Sequence, residues 1–324
     1  LLFPDFRSSN KLGTSVGVPF YWPFASSADL TLTLTEYTKV GLGIGTALDW
    51  LPHWQSWAHG NVNWINDQVR GKNRYRITWS HSQKLWNEFQ LTANLEQVSD
   101  FDYFTDYETD LLRAASPQTT SVVDVTRSWS WYSLSFRARR YEQFFVNAFG
   151  TTSLLTGKVI TNSLPQIEYR GRSQRLWHTP FYLSFESSVA GFSRDILGPP
   201  DDRPAGVPVE SDLELKSRAR WGRADVAPTV QMPLLKSPWG ELTLNAGWRG
   251  TYYTARPNPD NSAEVISRSL FRSLWNAGFT FTGPRFQRIF LTPRWSYSPK
   301  LKHVIEPFLT YGWRPRSGTS ASEI

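Results

Sequence analysis

Apolar and polar residues alternate along most of the chain with a period of two, the spacing of a strand whose faces meet different surroundings. From Val40 to Trp50, Val40, Leu42, Ile44, Leu48 and Trp50 fall on one side and Gly41, Gly43, Gly45, Ala47 and Asp49 on the other. Leu30, Leu32 and Leu34 alternate with Thr31, Thr33 and Thr35, and Tyr75, Ile77 and Trp79 with Arg74, Arg76 and Thr78. The same holds for Tyr132, Leu134, Phe136 and Ala138 against Ser133, Ser135, Arg137 and Arg139. Phe181, Leu183, Phe185 and Val189 oppose Tyr182, Ser184, Glu186 and Ser188. Leu213, Leu215, Ala219 and Trp221 oppose Glu214, Lys216, Arg218 and Arg220. Further strands are predicted near 13–22, 56–66, 88–98, 120–129, 164–172, 238–253, 267–281, 286–297 and 302–313. That makes roughly fifteen strands, with turn signals at Lys72-Asn73, Gly150, Pro199-Pro200, Pro257-Asn258 and Ser298-Pro299. Long connections are expected over 101–118, 142–162, 192–211 and 254–266, and short ones elsewhere. Helical periodicity is nearly absent, so the fold class is all-β.

Composition sharpens this picture. The 324 residues include 16 Trp, 13 Tyr and 20 Phe, yet only 40% are hydrophobic. Many apolar faces end in a ring: Trp22, Trp50, Trp64, Trp79, Trp129, Trp221, Trp248 and Trp313. Rings at strand ends suit an aromatic girdle at a membrane interface. The second face carries Gly, Thr, Ser, Arg and Glu, which suits a wet interior. The expectation is an antiparallel transmembrane β-barrel. The alternatives are a passive porin-like channel of the outer membrane and a soluble carbohydrate-binding β protein, whose aromatics would stack on sugars. With no Cys, disulfide scaffolds and thiolate sites are excluded. The 35 Lys+Arg against 28 Asp+Glu give +7, but no RNP, zinc or helix-turn-helix pattern points to nucleic acid. The five His lack metal spacing, and no Gly-x-Ser-x-Gly or phosphate loop is present, so neither enzyme activity, metal nor cofactor is expected.

The stretch Phe3 to Trp22, with Ser9-Asn10-Lys11-Leu12-Gly13 and Pro19-Phe20-Tyr21-Trp22, resembles the start of the barrel in the LptD family of outer-membrane lipopolysaccharide-assembly proteins. Asp29-Leu30-Thr31-Leu32-Thr33 and Lys39-Val40-Gly41-Leu42-Gly43 are similar to the next elements of that family. So are Val98-Ser99-Asp100 with Tyr103, Phe104, Asp106 and Tyr107, then Leu164-Pro165-Gln166, and His303 to Tyr311 with Glu306-Pro307. The resemblance implies that residues 1–324 are part of one transmembrane barrel domain of about two dozen strands, about 14–15 of them here. An upstream periplasmic jellyroll and downstream closing strands would lie outside the chain. It implies the outer membrane of a Gram-negative bacterium as location. It also implies a translocon that inserts lipopolysaccharide into the outer leaflet, with sugars passing through the lumen and acyl chains leaving by a lateral gate. The implied partners are lipopolysaccharide, outer-membrane lipid, an LptE-like lipoprotein plug, and periplasmic bridge proteins that dock on the jellyroll.

Proline cannot complete a ladder hydrogen bond, so Pro19, helped by Pro23, is the expected weak point of such a gate. Arg74, Arg76, Arg137, Arg139, Lys216, Arg218 and Arg220 face away from the apolar side, and are candidates to line the path of an acidic glycolipid. A charge network with Asp49, Glu186 and Glu214 would explain them equally. Ser99, Asp100, Tyr103, Phe104 and Asp106 open a loop expected either to pack over the barrel or to be an ordinary polar loop.

Overall fold

The computed structural model describes residues 2–100, 102–107, 112–113, 117–148, 154–198, 213–258, 265–291 and 300–315. In chain order the strands are β1 (Asp5–Ser9), β2 (Gly13–Ala25), β3 (Ala28–Tyr37), β4 (Gly41–His53), β5 (Ser56–Asp67), β6 (Lys72–Lys84) and β7 (Gln90–Val98). A short helix, α1 (Asp102–Tyr107), follows. Then come β8 (Gln118–Ser128), β9 (Tyr132–Ala148), β10 (Leu154–Arg175), β11 (Tyr182–Gly198), β12 (Glu214–Ser237) and β13 (Gly240–Tyr253). The last are β14 (Arg256–Pro257), β15 (Val265–Ile266), β16 (Leu270–Thr282), β17 (Phe286–Leu291), β18 (Lys300–Ile305) and β19 (Phe308–Trp313).

Fifteen of these form one antiparallel sheet in the order β1 to β13, then β16, then β19; β14 pairs with β15, and β17 with β18, as separate ribbons. A closed barrel requires its first and last strands to pair. Among the described residues β1 pairs only with β2, and β19 only with β16. Among the described residues these strands form an open sheet with two free edges and not the expected transmembrane β-barrel, whose closing strands were placed outside the chain. Among the described residues, no helix is long and apolar enough to cross a membrane.

Several strands outrun their predicted ends. β9 and β10 pair as far as Ala148 and Leu154, through most of the expected 142–162 loop. β12 continues to Ser237, where no strand was expected beyond Trp221. Conversely, the single strand expected over 302–313 is split by Glu306-Pro307 into β18 and β19. Pro307 has no N–H to give a ladder; its carbonyl instead accepts from Gly283 N at 2.8 Å.

Cross-strand register assembles two faces. Val18, Leu34 and Ile44 form one row, and Phe20 and Leu32 fall in the next. Val62 with Ile77, Trp79 with Leu95, and Val125 with Phe136 continue the apolar side across β5 to β9. Ile167 with Val189, and Trp248 with Trp275, carry it to the other edge. These side chains are not buried within the chain: Phe20 is 48% and Trp275 60% exposed. The reverse, polar face carries Thr33, Asn63, Arg76, Asp124, Arg137, Glu168, Glu186, Asp225 and Arg249. Burial concentrates instead in a small cluster of Val98, Tyr103, Phe104 and Phe144, where α1 packs on the sheet.

Candidate functional site

The polar face holds two arrangements of charge. The first is a clamp at the end of β5, β6 and β7. Alternation places Arg74 on the polar face, and α1 closes over it until its side chain is fully buried. A buried guanidinium must be paired. Arg74 Nε and Nη2 donate to the two Asp100 oxygens at 3.1 and 2.7 Å, a bidentate fork. Its Nη1 donates to Asp106 at 2.8 Å and to Asp67 at 3.2 Å. The Tyr107 ring lies 4.9 Å from the guanidinium carbon, and its hydroxyl donates to Asp67 at 3.0 Å. Arg70 binds Asp102 and Asp106 at 2.6 and 3.0 Å, and Lys11 donates to the Thr105 carbonyl at 2.7 Å. Asp100 accepts from Tyr103 N at 3.1 Å, while Ser99 accepts from Tyr75 N at 3.1 Å. Phe104, 1% exposed, meets Phe144 at 5.9 Å between ring centroids.

The electrostatics follow from this packing. Burial alone would lower the Arg74 pKa, but its hydrogen bonds to the Asp100 and Asp106 carboxylates drive it up. Burial would raise the Asp67 pKa, yet the Arg70 N–H, the Tyr107 hydroxyl and Arg74 hold it below the usual carboxylate range. The Tyr107 hydroxyl is pushed up by burial and by its bond to Asp67.

The second arrangement is a trough of about 800 Å³ on the polar face of β10 to β16. Its wall includes Arg170, Arg172, Arg249, Arg272 and Arg314, with Glu186 as the one acidic residue. Ala227 and Thr229 are also in the lining. Arg170 pairs with Glu168 at 2.9 Å, and Arg249 with Glu186 at 3.5 Å and Asp225 at 3.3 Å. Among the described residues, Arg172, Arg272 and Arg314 have no carboxylate partner, and the buried Arg272 Nε has no acceptor.

Most of the arginines singled out in the sequence are already neutralised. Arg76 pairs with Glu96 (2.9 Å) and Arg137 with Asp124 (2.6 Å) on the polar face. Arg139 is on that face too, without an ion-pair partner among the described residues. Arg218 and Arg220 lie on the opposite face. A register shift between Ile196 and Leu197 inserts an extra β12 residue near Lys216 and reverses the alternation. Arg218 binds Asp195 at 2.9 Å, and Lys216 is 3.6 Å from Glu214. The same shift puts Trp221 on the polar face, stacked on Phe192 at 5.6 Å. Trp22 and Trp50 lie toward one end of their strands, Trp64 toward the other end of β5, and Trp313 closes β19. Trp129 lies just beyond β8 with Arg127 over its ring at 4.7 Å. Trp79, Trp221 and Trp248 are mid-strand, so the eight rings form no single end girdle. Trp50 and Trp79 instead stack on His81 at 6.5 and 6.4 Å.

Among the described residues no first strand meets a last strand, so the expected lateral gate is not formed. Pro19 lies in the second strand of the sheet, paired to Thr33 on one side, and its carbonyl accepts from Leu2 N at 3.0 Å on the other. Pro23 falls in the irregularity between Trp22 and Ala25. The reading of a translocating barrel gated at Pro19 falls with the barrel. Among the described residues, no group of three His, Asp or Glu is arranged to hold a metal. The trough arginines were missed because they are scattered over three strands and a strand end; only register brings them together.

A family model described as LPS transport system D matches residues 72–322. The chain is 24% identical over 295 residues to the LPS-assembly protein LptD of Shewanella sp. strain MR-4, covering 89% of this chain and 34% of that protein. It is 26% identical to the LPS-assembly protein LptD of Legionella pneumophila strain Paris, covering 88% and 32%. The protein of that name from Ralstonia nicotianae is 26% identical, covering 99% and 37%. The chain therefore spans about a third of the length of the curated relatives it matches.

Proposed function

Because the chain belongs to the LptD family of lipopolysaccharide-transport proteins, we propose that its polar sheet face handles the saccharide and phosphate portion of lipopolysaccharide. The family's role is transport, not catalysis. The observation that carries the proposal is the two-sided sheet. One face carries a continuous row of apolar side chains across the sheet, interrupted by charge in the outer parts of β9 to β12, and the other is hydrophilic with a cationic trough. An acidic glycolipid divides into the same two chemistries. The reading keeps the sugar contact of the carbohydrate-binding alternative. As parts of the same proposal, the protein is associated with the outer membrane and works with a lipoprotein partner and a periplasmic bridge. The test is a photo-crosslinking residue at Asn63 or Thr33, both on the polar face, in the full-length protein in living cells. Lipopolysaccharide adducts at these positions are expected. Their absence at both, with the protein correctly assembled, overturns the proposal.

A further inference from the structure

The charge distribution of the polar face is uneven, and the unevenness marks a site. Around α1 the cations Arg70 and Arg74 meet the carboxylates Asp67, Asp100, Asp102 and Asp106 at hydrogen-bond distance. Arg76 and Arg137 are similarly matched. The trough differs. Of its five guanidinium groups, Arg170 and Arg249 are held by Glu168, Glu186 and Asp225. Those two form the fixed wall. Arg172, Arg272 and Arg314 remain without carboxylates among the described residues, and Arg272 carries a buried Nε with no acceptor. A buried donor left unsatisfied is costly, and an anion supplying oxygens would relieve that cost. The register explains the convergence. Arg272 faces Thr251 and Thr251 faces Asp225, while Arg249 faces Leu274 one row away. Thr251 donates to Asp225 at 2.6 Å, which directs that carboxylate toward Arg249 and Thr251 and leaves Arg272 unmatched.

We propose that this trough is a binding site for a phosphorylated saccharide, with Arg172, Arg272 and Arg314 donating to its phosphate oxygens. The planar fork of arginine suits phosphate. The open volume of about 800 Å³ is large enough for sugar rings to accompany the phosphate. Ser133, Ser184, Thr229 and Asn276 line the same space with hydroxyl and amide groups able to bond sugar hydroxyls. The inference rests on the lipopolysaccharide-handling reading and narrows it to one location and one chemical group.

The test uses the full-length protein with a photo-crosslinker at Thr229, and in a parallel sample at Asn63, far from the trough. The probes are lipopolysaccharide, the same lipopolysaccharide after enzymatic dephosphorylation, and inorganic pyrophosphate as competitor. Labelling at Thr229 is expected to fall at least about tenfold on dephosphorylation and in the Arg172→Gln/Arg272→Gln/Arg314→Gln variant, while Asn63 labelling persists. The corresponding triple Arg→Lys variant, which keeps the charge, is expected to recover part of the signal and controls for folding. Competition by millimolar pyrophosphate shows that phosphate alone suffices. Phosphate-dependent labelling that resists pyrophosphate assigns the site to the lipid-borne group. Equal labelling by dephosphorylated lipopolysaccharide, or an unaffected triple Arg→Gln variant, overturns the inference. If Asn63 is labelled in that case, the broader reading stands; if neither position is labelled, both fall.

Discussion

Replacing Arg74 by Gln should release α1 while leaving the sheet folded. Arg74 makes four hydrogen bonds to three carboxylates, of 3.1, 2.7, 2.8 and 3.2 Å, from a fully buried position. Removing one partner of a buried ion pair costs about 3–5 kcal/mol, because the remaining charge is stranded. The lower end applies here, since each carboxylate keeps some company. Asp67 retains the Arg70 N–H and the Tyr107 hydroxyl, Asp106 retains Arg70, and Asp100 retains the Tyr103 N–H. About 3 kcal/mol is about two orders of magnitude in an opening equilibrium. Hydrogen–deuterium exchange followed by mass spectrometry reads this directly. Peptides covering 99–107 should exchange about a hundredfold faster in Arg74→Gln, with β9 to β12 unchanged. Arg76→Gln is the control: Arg76 also bonds an acid, but Glu96 keeps its bridge to Arg113, and the loss should stay within about 1 kcal/mol. Unaltered exchange over 99–107 would refute the clamp. Acceleration spread equally over the whole sheet would show instead that Arg74 supports the fold at large.

Three further outcomes are expected. Phe104→Ala empties the most buried apolar position of the cluster and should cost about 3–5 kcal/mol of local stability, read as the same loss of protection over α1. The clamp should hold across a broad pH range. The lowered Asp67 pKa gives stability present above its ordinary value of 3.8 and lost as pH falls through the folded value. The raised Tyr107 pKa gives stability present below its ordinary value of 10.0 and lost as pH rises through the folded value. Exchange over 99–107, corrected for intrinsic rate, should therefore be flat between those limits; a step near neutrality would contradict the assignment. Gly41→Ala should destabilise the β3–β4 turn by roughly 1–3 kcal/mol, since Gly41 has φ +115° and an added Cβ would come 2.9 Å from the Asn66 carbonyl. A thermal melt matching the unsubstituted protein would count against that strain.

Alternation made the strands from β2 to β9 legible, because one uninterrupted period of two runs through Leu30, Ile44, Val62 and Ile77. It became unreliable where two conditions failed. In the outer parts of β9 to β12 both faces carry polar residues, as at Arg140, Glu142 and Asp195, so these stretches resemble loops. At the irregularity beside Lys216 one extra residue reverses every later side chain. That reversal is why Arg218 and Trp221 were assigned to the wrong faces. Closure of the sheet is not written in any local pattern, since it depends on which strands lie side by side at the ends. The clamp was half visible: Ser99, Asp100 and Asp106 stood out as a motif, but their joint partner Arg74 was grouped with lining arginines. The trough lay beyond reach, because Arg170 and Arg314 are 144 positions apart.

The pairing of charges also fixes how far the trough can be felt. At physiological ionic strength a charge is screened over about 8 Å, and neighbouring strands are about 4.8 Å apart. The unmatched guanidinium groups thus reach anions only within about two strands of β10 to β19. Over β5 to β7, where the acids balance the bases, an anionic molecule meets an electrically quiet surface. Capture is consequently a matter of delivery: a ligand arriving at the α1 side must be carried across several strands by other forces before the arginines take hold.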